Sequence, residues 1–180
     1  MNTVPFAAAA LCLTACVSSP QAEAEAEAPV AASPGPCDAP VYHEFDFWIG
    51  EWSVYDLAGN LAGTNSIQPA ESGCLLIERW TNTAGGTGQS YNFYDPGIGK
   101  WRQVWGSAAG VIDYAGGLTE TGSMYLEGEI RNRGAAPAPF TGEWTANADG
   151  SVTQHFRQQD PETGEWSDWF VGRYVRTAED

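Results

Sequence analysis

From Glu51 onward the chain is a series of short runs in which apolar and polar residues alternate, cut by Gly, Asn-Gly-like and Asp-Pro turns. Alternation with a period of two puts every second side chain on the same face of a strand. Ten such runs can be counted, near residues 51–57, 61–68, 73–82, 88–95, 100–107, 110–116, 122–132, 139–147, 150–159 and 165–176. Short strands at regular spacing with brief links specify an up-and-down antiparallel sheet, and closing that sheet removes two exposed edges. No helical period of useful length competes. The expected fold is therefore all-β: a ten-stranded antiparallel up-and-down barrel.

Just before the first strand lies Phe45-Asp46-Phe47-Trp48-Ile49-Gly50-Glu51-Trp52-Ser53-Val54, with four aromatic rings in eight residues. Its spacing suits one helical turn up to Ile49 and a strand from Trp52, with Gly50 at the junction, where positive φ is tolerated. This reads as a short N-terminal plug helix feeding the first strand. Two turns share the pattern Asp-Pro-x-x-Gly-x-Trp, at Asp95–Trp101 and Asp160–Trp166. Asp opens a type I turn, Pro presets φ at the next position, and the later Gly takes a left-handed conformation. The repetition is turn chemistry, with no duplicated site. Ala135-Ala136-Pro137-Ala138-Pro139 marks a looser, solvated link.

Against 23 Asp and Glu stand 8 Lys and Arg, for a formal net charge of −15. Residues 1–40 hold four of the acids and no base, so the remainder carries a net charge of −11. Such a surface repels phosphate backbones and anionic head groups, which argues against nucleic-acid binding. The apolar run Val4–Leu13 is too short to span a bilayer and reads as the core of a signal peptide over residues 1–15. No Lys or Arg precedes it; either the α-amino group supplies the charge or the start of the chain lies elsewhere. Residues 16–40 are rich in Ala, Glu, Ser and Pro and form an extended tether, leaving 41–180 for the barrel. Of four cysteines, Cys12 lies in the signal segment. In an oxidising compartment Cys37 and Cys74 pair as a disulfide, closing a loop of about 37 residues for about 3–4 kcal/mol. There is no Cys-x-x-Cys and no His cluster, so neither a metal site nor a cofactor is expected.

Leu13-Thr14-Ala15-Cys16 resembles a bacterial lipobox, which implies that Cys16 becomes a lipidated first residue. Acyl chains on Cys16 would then be the sole membrane attachment. Val17 rather than Asp at the next position implies, by the same resemblance, the outer membrane, on its periplasmic side. The alternative is an ordinary signal cleaved near Ala22. Gly50-Glu51-Trp52 after a plug resembles the opening Gly-x-Trp of the calycins, the lipocalin-like superfamily, in which the Trp packs beneath an Arg of the last strand; Arg173 and Arg176 are the candidates. A closer resemblance is to an uncharacterised bacterial lipocalin-like family with the pattern F-D-F-W-x-G-x-W, G-C-x-L-x-E-x-W, S-x-N-x-Y-D-P-x-x-G-K-W-x-Q-x-W and a final Y-x-R. Here those positions are Phe45–Trp52, Gly73–Trp80, Ser90–Trp105 and Tyr174–Arg176, and the likeness covers nearly all of 43–176. It implies a fold and no activity.

Strand parity then nominates a site. Cys74, Leu76, Glu78 and Trp80 share one face of the third strand; Ser90, Asn92 and Tyr94 share one of the fourth; Trp101, Gln103 and Trp105 share one of the fifth. Large aromatics with a carboxylate, amides and a hydroxyl are how small-molecule pockets are lined, whereas a packed core favours Val, Ile and Leu. Gln154 and Phe156, then Tyr174 and Arg176, extend the same face. The competing register turns Leu75, Ile77, Tyr91, Phe93 and Val104 inward instead. Even inside, Glu78 has a plain structural reading, as an acid neutralised by Arg176 or hydrogen-bonded to Gln103.

The leading reading is an exported barrel that binds a small, partly apolar ligand through Glu78, Trp80, Ser90, Asn92, Gln103, Trp105, Gln154, Tyr174 and Arg176. An alternative is an envelope enzyme, an isomerase, hydratase or hydrolase, with Glu78 as general base; no second acid or base stands at a defined spacing. A haem barrel of the nitrobindin type would use His155 as axial ligand, but if Gln154 faces in, His155 faces out. His43, the other histidine, flanks the plug. A third reading is an interaction module with a solid core. The sequence does not specify oligomeric state.

Overall fold

The computed structural model describes residues 1–2 and 34–177. The signal segment, Cys16 and most of the tether lie outside the described residues. Ten strands form one closed antiparallel barrel: β1 (Gly50–Tyr55), β2 (Leu61–Ala70), β3 (Leu75–Asn82), β4 (Thr87–Asp95), β5 (Lys100–Ser107), β6 (Gly110–Leu118), β7 (Met124–Asn132), β8 (Ala138–Ala146), β9 (Val152–Gln159) and β10 (Trp166–Arg176). Each strand pairs with the next, and β10 returns to β1 with Trp52 opposite Arg176. No strand edge is left unpaired, as the even run of short alternating segments requires.

Alternation sets the two faces. On β3, Leu76 and Glu78 are buried while Arg79 is exposed; on β4, Ser90 and Asn92 are buried while Tyr91 is exposed. The polar-aromatic face is thus the inner one. Its competitor, with Leu75, Ile77, Tyr91, Phe93 and Val104, faces outward, because the larger rings Trp101 and Trp144 and most of Trp105 cannot be left in water together. The two Asp-Pro turns lie at opposite ends of the barrel, and Gly99 (φ 65°) and Gly164 (φ 74°) take the expected left-handed conformation.

One end of the barrel is closed. The expected plug helix is two 3-10 turns, Pro40–His43 and Asp46–Trp48. Phe45 and Trp48 are both 0% exposed and stack at 4.9 Å between ring centroids. Trp144 and Trp101 meet Phe45 edge-on at 5.2 and 5.8 Å. Trp52 Nε1 donates to the Trp48 carbonyl at 2.9 Å, and Trp101 Nε1 donates to Val41 at 3.0 Å, so these two rings stay dry without losing a donor, whereas Trp48 Nε1 and Trp144 Nε1 are buried without a partner. Gly50 sits at φ 142°, where the chain swings from plug to strand. The Cys37–Cys74 disulfide ties the segment before the plug to the start of β3.

Candidate functional site

The other end of the barrel is open. There a cavity of about 310 Å³ lies inside the wall. Trp80 at the far end of β3, Trp105 on β5, Phe156 on β9 and Trp169 with Phe170 on β10 form its sides. Glu78, Gln103, Tyr114, Gln154 and Tyr174 form its floor.

Local sequence explains the aromatic sides. The register of β10 against β9 shifts between Asp168 and Phe170, so Trp169 is the extra residue of a bulge. The bulge lets two consecutive rings, Trp169 and Phe170, both line the cavity. Trp169 packs edge-on against Phe140 at 5.6 Å and remains 51% exposed at the mouth. Glycines make room for the rings lower down. A methyl group on Gly88 would collide with the Trp105 indole, and one on Gly172 would collide with Phe170. Bare backbone at these inward positions is what leaves space for the large rings.

The floor belongs to a continuous chain of buried hydrogen bonds. Tyr114 Oη donates to Gln103 Oε1, and Gln103 Nε2 donates to Asn92 Oδ1. Asn92 Nδ2 donates to Ser90 Oγ at 2.9 Å and to the Leu76 carbonyl at 3.1 Å. Ser90 Oγ donates to Glu78 Oε2 at 2.5 Å. From the other side Asn65 Nδ2 donates to Glu78 Oε1 at 2.7 Å and to Tyr174 Oη at 3.3 Å, and Tyr174 donates to Gln154 Oε1 at 3.1 Å. The belt thus passes through β6, β5, β4, β3, β2, β10 and β9. Two of its donors, Ser90 Oγ and Asn65 Nδ2, meet on the carboxyl of Glu78, while Tyr174 donates away from it to Gln154.

Glu78 is 4% exposed and its pKa is pushed up to about 7 by burial, against the hydrogen bonds from Ser90 and Asn65, which favour the carboxylate. Burial and the neighbouring Glu78 charge hold the Tyr114 and Tyr174 hydroxyls well above their usual range, so both remain proton donors near neutral pH. Each Glu78 oxygen accepts one hydrogen bond, which leaves each with a free lone pair.

The structure sorts the residues nominated from sequence into three groups. Glu78, Trp80, Gln103, Trp105, Gln154 and Tyr174 line the cavity. Ser90 and Asn92 are fully buried behind it and act on Glu78 and Gln103 through the belt. Arg176 is elsewhere. Its guanidinium lies 4.3 Å from the centroid of Trp52 and its Nη1 donates to the Ile49 carbonyl at 3.0 Å, at the closed end. Strand β10 runs from mouth to plug, so although Arg176 has the parity of Tyr174 it has already passed the bottom of the barrel. Glu78 is accordingly neither neutralised by Arg176 nor bonded to Gln103; its partners are Asn65 and Ser90. His155 is half-buried on the outer face and bonds Asp168 at 2.7 Å, so it is not placed to ligate a haem within. His43 pairs with Asp46 at 2.7 Å on the surface.

Sequence reasoning missed Asn65, Tyr114, Trp169 and Phe170. The first two were within reach: Gly63-Asn65-Ile67 and Ile112-Tyr114 alternate as clearly as the strands between them. Trp169 and Phe170 were not, because a bulge inverts parity without a marker in the residue pattern. In comparisons with known proteins, no family model matches this chain and no curated protein matches it. The ten-stranded antiparallel barrel is itself consistent with a lipocalin-like fold.

Proposed function

We propose that this barrel is the binding domain of an exported lipoprotein that takes a small, partly apolar ligand into its open end. The observation that carries the reading is a cavity with aromatic sides over a hydrogen-bonding floor. Affinity would come from apolar area removed from water, and orientation from Glu78, Gln103 and Gln154. Most of the polar floor is already bonded within the belt, Asn65 Oδ1 being the buried atom left without a partner, so a ligand need add only one or two bonds. Such a cavity disfavours the solid-core interaction module.

Export and anchoring rest on Val4–Leu13 and on Leu13-Thr14-Ala15-Cys16, and the Cys37–Cys74 bond suits the oxidising periplasm. The proposed location is the periplasmic side of the outer membrane, with the acyl chains of Cys16 as the sole membrane contact. Metabolic labelling with a palmitate analogue tests this: label that disappears in Cys16→Ser supports the anchor, and a soluble, unlabelled wild type refutes it.

Native mass spectrometry of the full-length protein extracted from envelopes tests the binding reading. Extra mass that leaves on denaturation is the expected result. Protein that stays bare there and also binds no member of a small-molecule panel would overturn it.

One observation favours a second reading, an enzyme: a carboxyl with a pKa near 7 facing a cavity is suited to general base work. Glu78→Gln separates the two, because turnover would vanish while burial of an uncharged ligand would survive.

A further inference from the structure

Glu78 is the one charged side chain buried in the barrel among the described residues. Facing it from β2 and β4 are Asn65, Ser90 and Asn92, and from across the floor Gln103, Gln154 and the two tyrosines Tyr114 and Tyr174. Those tyrosines are the only other titratable groups there, and both are neutral. The arginines lie on the outer surface: Arg79 is exposed, Arg102 pairs with Asp113, Arg173 with Asp149, and Arg157 lies over Trp166. A buried carboxylate without a cation is costly, and what holds this one in the acceptor form is two neutral donors, Ser90 Oγ and Asn65 Nδ2. Above it stand Trp80, Trp105 and Trp169, whose ring faces are negative.

We propose that the cavity selects a small organic cation, a protonated amine or quaternary ammonium on an apolar body. Glu78 supplies the counter-charge and the three indoles supply cation–π contact. This rests on the binding reading above and names its ligand class. An anion would meet a carboxylate and ring faces of the same sign, with no cation inside to receive it. A neutral ligand would leave the carboxylate unpaired. The overall charge of −15 adds a field that concentrates cations at the surface and repels anions. An ammonium donor also has somewhere to bond, since both Glu78 oxygens keep a free lone pair.

The test is a calorimetric titration of the full-length protein with three probes of matched size: 3-phenylpropylamine, 3-phenylpropanol and 3-phenylpropanoate. At pH 8 the amine is expected to bind about 10- to 100-fold tighter than the alcohol, and the propanoate weakest. Lowering the pH below 7 protonates Glu78 and weakens the amine by about tenfold per pH unit, leaving the alcohol unchanged. Glu78→Gln is expected to bring amine and alcohol together in affinity while the alcohol keeps its wild-type value. Because Glu78 is buried, Trp169→Ala at the exposed mouth serves as a second variant, and it is expected to weaken the amine more than the alcohol. An alcohol or propanoate that binds as well as the amine, or an amine preference that survives Glu78→Gln, overturns the charge assignment and leaves the cavity reading standing. Failure of all three probes to bind overturns the cation proposal, and extracted protein that is also bare and binds nothing in the panel overturns the cavity reading with it.

Discussion

The two ends of this barrel are made from the same kind of side chain and do opposite things. At the closed end Phe45, Trp48, Trp52 and Trp144 are 0% exposed and pack ring on ring. At the open end Trp80, Trp105, Trp169 and Phe170 are only partly covered and surround a space of about 310 Å³. The main difference is not in the strands, which alternate alike at both ends apart from the register shifts in β1 and β10. It lies in what enters from outside the sheet. The 3-10 segment fills one mouth and turns its aromatic ring into core, while nothing among the described residues fills the other. Between the two lies the belt centred on Glu78, which fixes where packing ends and the cavity begins. Aromatic content therefore marks neither stability nor binding by itself; coverage decides.

The contrast can be broken most strongly at the plug. Phe45→Ala is expected to cost about 3–5 kcal/mol of unfolding free energy, read by chemical denaturation, because the cavity it leaves is walled by strands that cannot collapse. Trp169→Ala at the mouth should change that measurement by less than about 1 kcal/mol, with its effect appearing in ligand affinity instead. Next in size is the Cys37–Cys74 bond, whose replacement by serines should cost about 3–4 kcal/mol, read by the same denaturation under oxidising conditions.

The belt gives a pH signature. Glu78 binds its proton more tightly in the folded protein, at about 7, than in the unfolded chain, near the ordinary Glu value of 4.5. Between those two values the folded state holds more protons, so this group lowers stability as pH rises, fully so above about 7. The wild type should lose up to about 3 kcal/mol from this source between pH 4.5 and 8, and Glu78→Gln should lack that component of the slope. A smaller effect than that of the belt is expected at Arg176. Arg176→Ala removes a guanidinium from the face of Trp52 and should cost about 0.5–2 kcal/mol, with ligand affinity unchanged because the group is at the wrong end of the barrel. A change in affinity there would blur the division between the two ends.

Much of this was legible beforehand. The ten strands, the Gly50 junction, the two Asp-Pro turns and the pairing of Cys37 with Cys74 follow from period-two alternation, turn chemistry and cysteine arithmetic, which act over a few residues each. The inward face of Glu78, Asn92 and Gln103 follows from parity together with the cost of exposing Trp80 and Trp105. The partners of Glu78 were not legible in this way. Parity says which face a residue is on and not how far along the barrel it lies, so Arg176 passed for a neighbour of Glu78 while Asn65, adjacent on β2, went unnoticed. Strand alternation and turns were thus determined by sequence alone, because their causes are local. The depth of each inward side chain, the bulge that aims both Trp169 and Phe170 into the cavity, and the belt that links seven strands through one carboxyl were decided only when the sheet closed, because each depends on the stagger between neighbouring strands accumulated around the whole barrel.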